Sequence, residues 1–364
     1  MTKVLPALLA LAACTATSAA AGGIDRAGLD YNIIFEAGRT AELSFQNVKP
    51  KVSGTYIPAF GGGTTGNMAQ SFSGIAFAFK DDINDKLSYA VLLGQPIGAD
   101  ADYTKGPYTG LEAHWSSDEL TALLKYKLGN GTSLFGGLRY VNSSANIVIP
   151  SLLMKGTGTY TAKAAADGKV GYVLGAAYEK PEIALRVALT YTSAIDHQFA
   201  TTEVHPLLGT LNSTTDITLP QTVTLDAQSG IAKDTLLFGS VRWAEWSKWH
   251  VKPKGYGLLA GGTEITGFDH SVITYTLGVG RKLNEHLSVF GSLGYEASKG
   301  GIASRLAPTD GMRSVSLGAV WTQGQVKISA GVQYQKMGDA VDSTGTKFAG
   351  NHNTAIGVKM SYTF

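Results

Sequence analysis

The sequence predicts an all-β fold, a transmembrane antiparallel β-barrel of fourteen strands, and three observations predict it. Apolar and polar residues alternate along most of the chain, which is the period of a strand with one buried face. The segments between the alternating runs are short and long by turns. No apolar stretch reaches the ~18 residues that a membrane-crossing helix needs.

Composition narrows the classes further. The 364 residues are 44% hydrophobic and only 16% charged, with 45 Gly, 16 Tyr and a single Cys. So many aromatics with so little charge exclude a disordered chain. One Cys excludes a disulfide scaffold and a cysteine-based zinc domain. A net charge of +2 gives no electrostatic footprint for nucleic acid.

Residues 1–21 read as a secretory signal. Lys3 supplies the charged start, Val4 to Ala13 the short apolar run, and Ser18-Ala19-Ala20-Ala21 the small residues for cleavage. Cys14, behind Leu11-Ala12-Ala13, also resembles a lipoprotein cleavage box, and cleavage near Ala21 would leave a cysteine-free mature chain. Residues 22–38 then precede the first strand, and residues 39–364 form the barrel.

The predicted strands lie near 40–48, 72–79, 87–95, 119–128, 132–144, 169–179, 183–192, 217–227, 235–243, 271–282, 287–296, 314–321, 326–337 and 355–364. Each is close to the ~9–11 residues of a tilted bilayer-crossing strand. The last strand shows the pattern best: Ile356, Val358, Met360, Tyr362 and Phe364 alternate with Gly357, Lys359, Ser361 and Thr363. Short turns fall at 80–86, 129–131, 180–182, 228–234, 283–286 and 322–325, and long loops at 49–71, 96–118, 145–168, 193–216, 244–270, 297–313 and 338–354. Outer-membrane barrels sort their connections this way, with short turns on the periplasmic rim and long loops outside. Tyr89, Tyr126, Tyr140, Tyr178, Tyr191, Tyr295 and Tyr362, with Trp243 and Trp321, fall near strand ends, where an interfacial aromatic girdle belongs. A terminal Phe364 with Tyr362 two residues earlier looks like the signal read by outer-membrane assembly machinery.

Two predicted external loops are rich in apolar residues. One holds Ile147, Val148, Ile149, Leu152, Leu153 and Met154; the other holds Val204, Leu207, Leu208 and Leu211. Exposed apolar patches mark binding surfaces, so these residues are candidates for a hydrophobic groove; they can equally pack on each other and close the barrel mouth. By alternation Arg139, Arg186 and Arg242, with Lys125 and Lys327, point into the lumen. The arginines suit a carboxylate, or else form a salt-bridge ladder with residues such as Glu42 and Glu296.

Several segments resemble the FadL/TodX family of outer-membrane transporters for long-chain fatty acids and other hydrophobic compounds. They are Val91-Leu92-Leu93-Gly94-Gln95-Pro96-Ile97-Gly98 with Asp102-Tyr103, Leu219-Pro220-Gln221-Thr222, the run 241–249 with Trp243, Trp246 and Trp249, and the stretch 274–296. Their order along the chain covers most of residues 40–364. The family's Asn-Pro-Ala element is absent, and the segment before the first strand is short. The resemblance implies a reduced N-terminal plug at 22–38, a groove between packed external loops, and a kink at Gly94 and Pro96 through which the ligand leaves sideways into the membrane. It implies a passive channel for fatty acids or other hydrophobic compounds, working as a monomer in a Gram-negative outer membrane among its lipid and lipopolysaccharide.

The competing readings are a general porin, a surface adhesin or receptor, and an outer-membrane lipase. The inner face of small residues argues against a porin, and no Ser-His pair can be placed for a lipase. His114, His197, His205, His250, His270 and His352 all fall in predicted external loops without metal-ligand spacing, and read as solvated side chains. No phosphate loop, dinucleotide fingerprint or nucleophile elbow is present, so no cofactor, metal or enzymatic activity is expected.

Overall fold

The computed structural model describes residues 23–26 and 29–364. The predicted signal segment 1–21 therefore lies outside the described residues, as do residues 22, 27 and 28. The rest is one closed barrel of fourteen antiparallel strands. In chain order these are β1 (Thr40–Lys51), β2 (Phe72–Asp82), β3 (Leu87–Gly94 and Gly98–Asp102), β4 (Glu112–Gly129), β5 (Thr132–Ile149) and β6 (Tyr160–Lys180). Next come β7 (Leu185–Thr192 and Ile195–His205), β8 (Gly209–Leu219 and Thr222–Ala232), β9 (Thr235–Ala244) and β10 (Val272–Lys282). The last four are β11 (Leu287–Glu296), β12 (Met312–Gln323), β13 (Val326–Met337) and β14 (His352–Thr363).

Closure is complete from Thr40↔Thr363 to Lys51↔His352, so β1 and β14 leave no edge. A closed ladder is what the hydrocarbon layer demands, because lipid offers no partner for a free N–H or C=O. The large aliphatic side chains point outwards: Leu138, Leu277, Leu293 and Leu317 are each exposed by about 60%. Tyr126, Tyr178 and Trp321 stand at the short-turn rim and Tyr140, Tyr172, Tyr275, Tyr295 and Tyr334 at the other, bracketing this band. At the tightest short turn, Gly129-Asn130-Gly131, all three residues have positive φ; a side chain at Gly131 would run into the carbonyl of Glu179.

β4 to β8 are longer than predicted. The segments read as loops at 145–168 and 193–216 are mostly strand, and their connecting turns shrink to a few residues around 150–159 and 206–208. These hairpins continue beyond the apolar band and carry a separate core. Val52, Tyr56, Met68, Tyr103, Tyr108, Ile149, Met154, Tyr160, Met337 and Phe348 pack together there as a cap over the barrel mouth. Burial pushes the Tyr108 phenol up to about 12, and its hydrogen bond to Asp342 adds to the shift, so it stays a neutral donor.

Candidate functional site

Small residues on inward positions leave space under the cap. Ala99, Ala101, Ala113, Ala145, Ala162 and Ala164 come from β3 to β6, and Ile147, Ile217, Trp115, Trp249, Val251 and Ile265 complete the wall. The result is an almost wholly apolar, partly open cavity of about 80 Å³. Trp115 lies edge-on to Phe199 and Trp249 at 5.5 and 5.9 Å between ring centres. Edge-to-face contacts of this kind fix the rings, so the cavity wall is rigid. Helix α1 (Lys254–Leu259) closes one side. Buried Glu203 holds it, accepting from the backbone N–H of Gly255 and Tyr256 at 2.9 and 2.8 Å and from the Tyr160 hydroxyl at 2.6 Å.

The floor of the cavity is the N-terminal segment. Ile24 reaches the cavity, while Asp25 and Arg26 line a second space below it. The segment docks where β3 is interrupted. β2 and β3 pair from Phe77↔Leu93 downwards, and above that the ladder stops. The Arg26 N–H donates to the Pro96 carbonyl at 2.7 Å, and the Gly98 N–H donates to the Ile24 carbonyl at 3.0 Å. Pro96 has no N–H to give the ladder, which is the local reason the strand breaks here. Gly94 makes room: a side chain there would meet Leu29 and Ala76.

Two ion pairs fasten the segment. Asp25 accepts two bonds from Arg242 at 2.8 and 3.2 Å and lies 3.4 Å from the Trp246 indole nitrogen. Arg26 pairs with Asp100 and stacks over Phe72. Further along, Ile33 and Ile34 are buried against Ala78, Leu92, Leu123 and Val173 on the barrel's inner wall. Asp30 pairs with Lys359 at 3.2 Å. Burial opposes its ionisation, but Lys359 and Arg186 outweigh that and hold its carboxyl below the usual range.

Below the segment lies about 2130 Å³ of open space lined by threonines, serines and charged groups. The three candidate arginines meet it, and each is engaged. Arg139 donates to Glu119 at 2.6 Å, both side chains being almost fully buried. Arg186 reaches Gln228 at 3.3 Å and stacks over the Phe35 ring. Arg242 holds Asp25. Arg139 and Arg242 are thus in salt bridges, with Glu119 and Asp25 as partners rather than Glu42 and Glu296, whereas Arg186 meets an amide and a ring. Removing one partner of a buried pair typically costs ~3–5 kcal/mol. Arg139→Gln is therefore expected to lower the folded yield, seen as loss of the heat-modifiable band on gels, and to leave the preference between acids and neutral compounds unchanged.

The sequence matches the family described as "Outer membrane protein transport protein (OMPP1/FadL/TodX)" over residues 9–363. The chain belongs to the FadL/TodX family. Solved structures agree on the fold. A Pseudomonas aeruginosa FadL homologue superposes with a TM-score of 0.74 at 15% identity, covering 91% of this chain and 92% of that one. The Pseudomonas putida toluene transporter TodX gives 0.65 at 11% identity, with 95% and 96% covered. The Ralstonia pickettii toluene transporter TbuX gives 0.61 at 11%, with 90% of each chain covered. At such identities these likenesses show the fold alone. No functionally curated protein matches the chain. As a FadL/TodX family barrel, the protein is an outer-membrane transport protein of a Gram-negative envelope.

In this FadL/TodX protein the ten apolar loop candidates do not form one groove. Ile147 lines the cavity; Ile149 and Met154 are buried in the cap, with Leu153 packed against it. Leu152, Val204 and Leu207 face outwards, Val148 and Leu211 are half-buried, and Leu208 lies beside Gly255 of helix α1. Gly94 and Pro96 sit at the β3 break. Tyr362 donates to Gln325 at 2.8 Å, and Phe364, 62% exposed, lies edge-on to it. Two histidines depart from the expected solvated state: His197 and His205 are fully buried on β7. Trp115, Trp249 and the alanines are cavity residues that the sequence reading does not single out. Their alternation continues past the bilayer band, and that was the available signal.

Proposed function

We propose that this chain is a passive channel for hydrophobic compounds, and that uncharged ones suit it better than long-chain fatty acids. The single observation carrying this is the almost wholly apolar cavity between the cap and the N-terminal segment. A ligand there gains roughly 0.8 kcal/mol per buried CH₂ group. Among the described lining residues only His114 can carry charge, and it already pairs with Asp100 at 2.9 Å. Two of the three arginines in the space below already hold Glu119 and Asp25, and none of the three lines this cavity. That the solved neighbours include toluene transporters supports the same reading.

In this reading the segment 22–38 is the plug. Its displacement joins the cavity to the lower space and to the gap between β2 and β3, where Gly94 and Pro96 let an apolar compound leave sideways. The exposed terminal Phe364 with Tyr362 serves assembly. Uptake of radiolabelled toluene and of radiolabelled oleate, in cells with and without the protein, tests the proposal. Toluene uptake that depends on the protein and exceeds oleate uptake is the expected result. Rapid flux of sugars into proteoliposomes would instead make the chain a general porin.

A further inference from the structure

A second place where the wall is not laced lies between β6 and β7. Above it the two strands pair from Thr201↔Ala164 to Val204↔Thr161. Below it they pair from Val173↔Thr192 to Lys180↔Leu185. The register is the same on both sides, so residues 165–172 and 193–200 face each other over equal lengths without ladder pairs. The strands nevertheless stay side by side. This is a closed seam rather than a misaligned strand.

Side chains close it. Asp167 of β6 lies 2.9 Å from His197 Nδ1 and accepts from the Gln198 N–H at 3.2 Å. At the lower end Ser193 and Tyr172 exchange two bonds, the Tyr172 N–H to Ser193 Oγ at 3.0 Å and the Ser193 N–H to the Tyr172 carbonyl at 2.9 Å. Two glycines on β6 are filled from neighbours. A side chain at Gly171 would collide with the Ile195 methyl, and one at Gly168 with the Tyr140 hydroxyl. His197 is buried and stacked on Phe199, and its Nε2 has no hydrogen-bond partner.

The seam also has a destination. Ala164 and Thr201, its last laced pair, both line the apolar cavity, and Phe199 and Ile195 belong to the aromatic cluster around it. Its outer face starts at the upper tyrosine girdle, where Tyr172 and Tyr191 lie 5.9 Å apart, beside the exposed Val170. The lower end of the seam therefore meets the outer-leaflet boundary, its upper part carries the exposed Asp196 and Gln198 outside the apolar band, and its inner side is the cavity, above the N-terminal segment.

We infer that the β6–β7 seam is a lateral entry port through which a hydrophobic compound dissolved in the outer leaflet reaches the cavity. This rests on the transport reading above. It differs from the β2–β3 gap, which lies beside the N-terminal segment and serves release. Parting the seam breaks one backbone–backbone bond, Ser193 to Tyr172, and the contacts made by the Asp167 and Ser193 side chains, whereas parting a fully laced pair of strands in lipid strips more backbone groups of their partners.

The test is a reversible lock, Ala165→Cys with Ala200→Cys, next to the last laced pair. Cys14 lies in the predicted signal segment, so the mature chain brings no competing thiol. With radiolabelled hexadecane as the probe, oxidation is expected to cut uptake by at least about fivefold and reduction to restore it, as for a gated step. Complete cross-linking with unchanged uptake overturns the port. Absence of uptake by the wild type overturns the transport reading and the port with it. Should the double variant fail to assemble, Ile195→Ala decides: the emptied seam is expected to raise hexadecane uptake, and an unchanged or lower rate overturns the proposal.

Discussion

Asp25→Arg is expected to open the barrel. The wild-type carboxylate takes two bonds from Arg242 and lies against Trp246, fixing the one strand that separates the cavity from the lower space. The variant places a third cation beside Arg26 and Arg242. The lost charge-assisted bonds amount to ~2 kcal/mol for a partly solvated pair, and repulsion adds to this. The segment Ile24–Arg26 keeps its two backbone bonds to Pro96 and Gly98 and the pairing of Arg26 with Asp100. Proteoliposome swelling in a small sugar is expected to be nil for the wild type and rapid for the variant. The charge swap Asp25→Arg with Arg242→Asp is expected to close the channel again. A variant that assembles and stays closed would show that the backbone bonds alone retain the segment.

Ala145→Trp is expected to abolish most transport while leaving the barrel assembled. Ala145 lines the cavity, and an indole in its place fills the space a ligand uses. Overpacking a core costs ~1–3 kcal/mol, which a barrel laced on every side tolerates. Loss of one large ligand contact is worth at least ~1.4 kcal/mol, a tenfold drop in affinity. Toluene uptake is expected to fall at least tenfold on this basis, with an unchanged heat-modifiable band. Uptake at the wild-type rate would place the path outside this cavity.

Much of the barrel was legible because lipid imposes one rule on each crossing strand. The outside must be apolar and the inside need not be, so β14 and β10 to β13 stand out by alternation alone. The rule lapses beyond the bilayer. Ile147, Val148 and Ile149 are all apolar, and nothing local marks them as strand, because their inward neighbours form the cap core rather than the lumen. The same holds for Val204 to Leu211, whose residues are divided between two strand ends and the turn joining them, with Leu208 packed beside Gly255 of helix α1. Pro96 and Pro220 announce two wall breaks, since neither can donate to a ladder. The break at residues 193 and 194 carries no such mark.

Alternation and loop lengths were enough to set the strand number and the membrane as solvent, since both follow from period-two patterning along a single chain, and the resemblance of a few motifs pointed to the transport family. Only the tertiary structure decided which arginine meets which carboxylate, which alanines share a cavity, and where the wall is held largely by side chains. Those depend on which strands become neighbours and how far each ladder runs. Residues 25 and 242 lie too far apart in the chain for their spacing to reveal a contact.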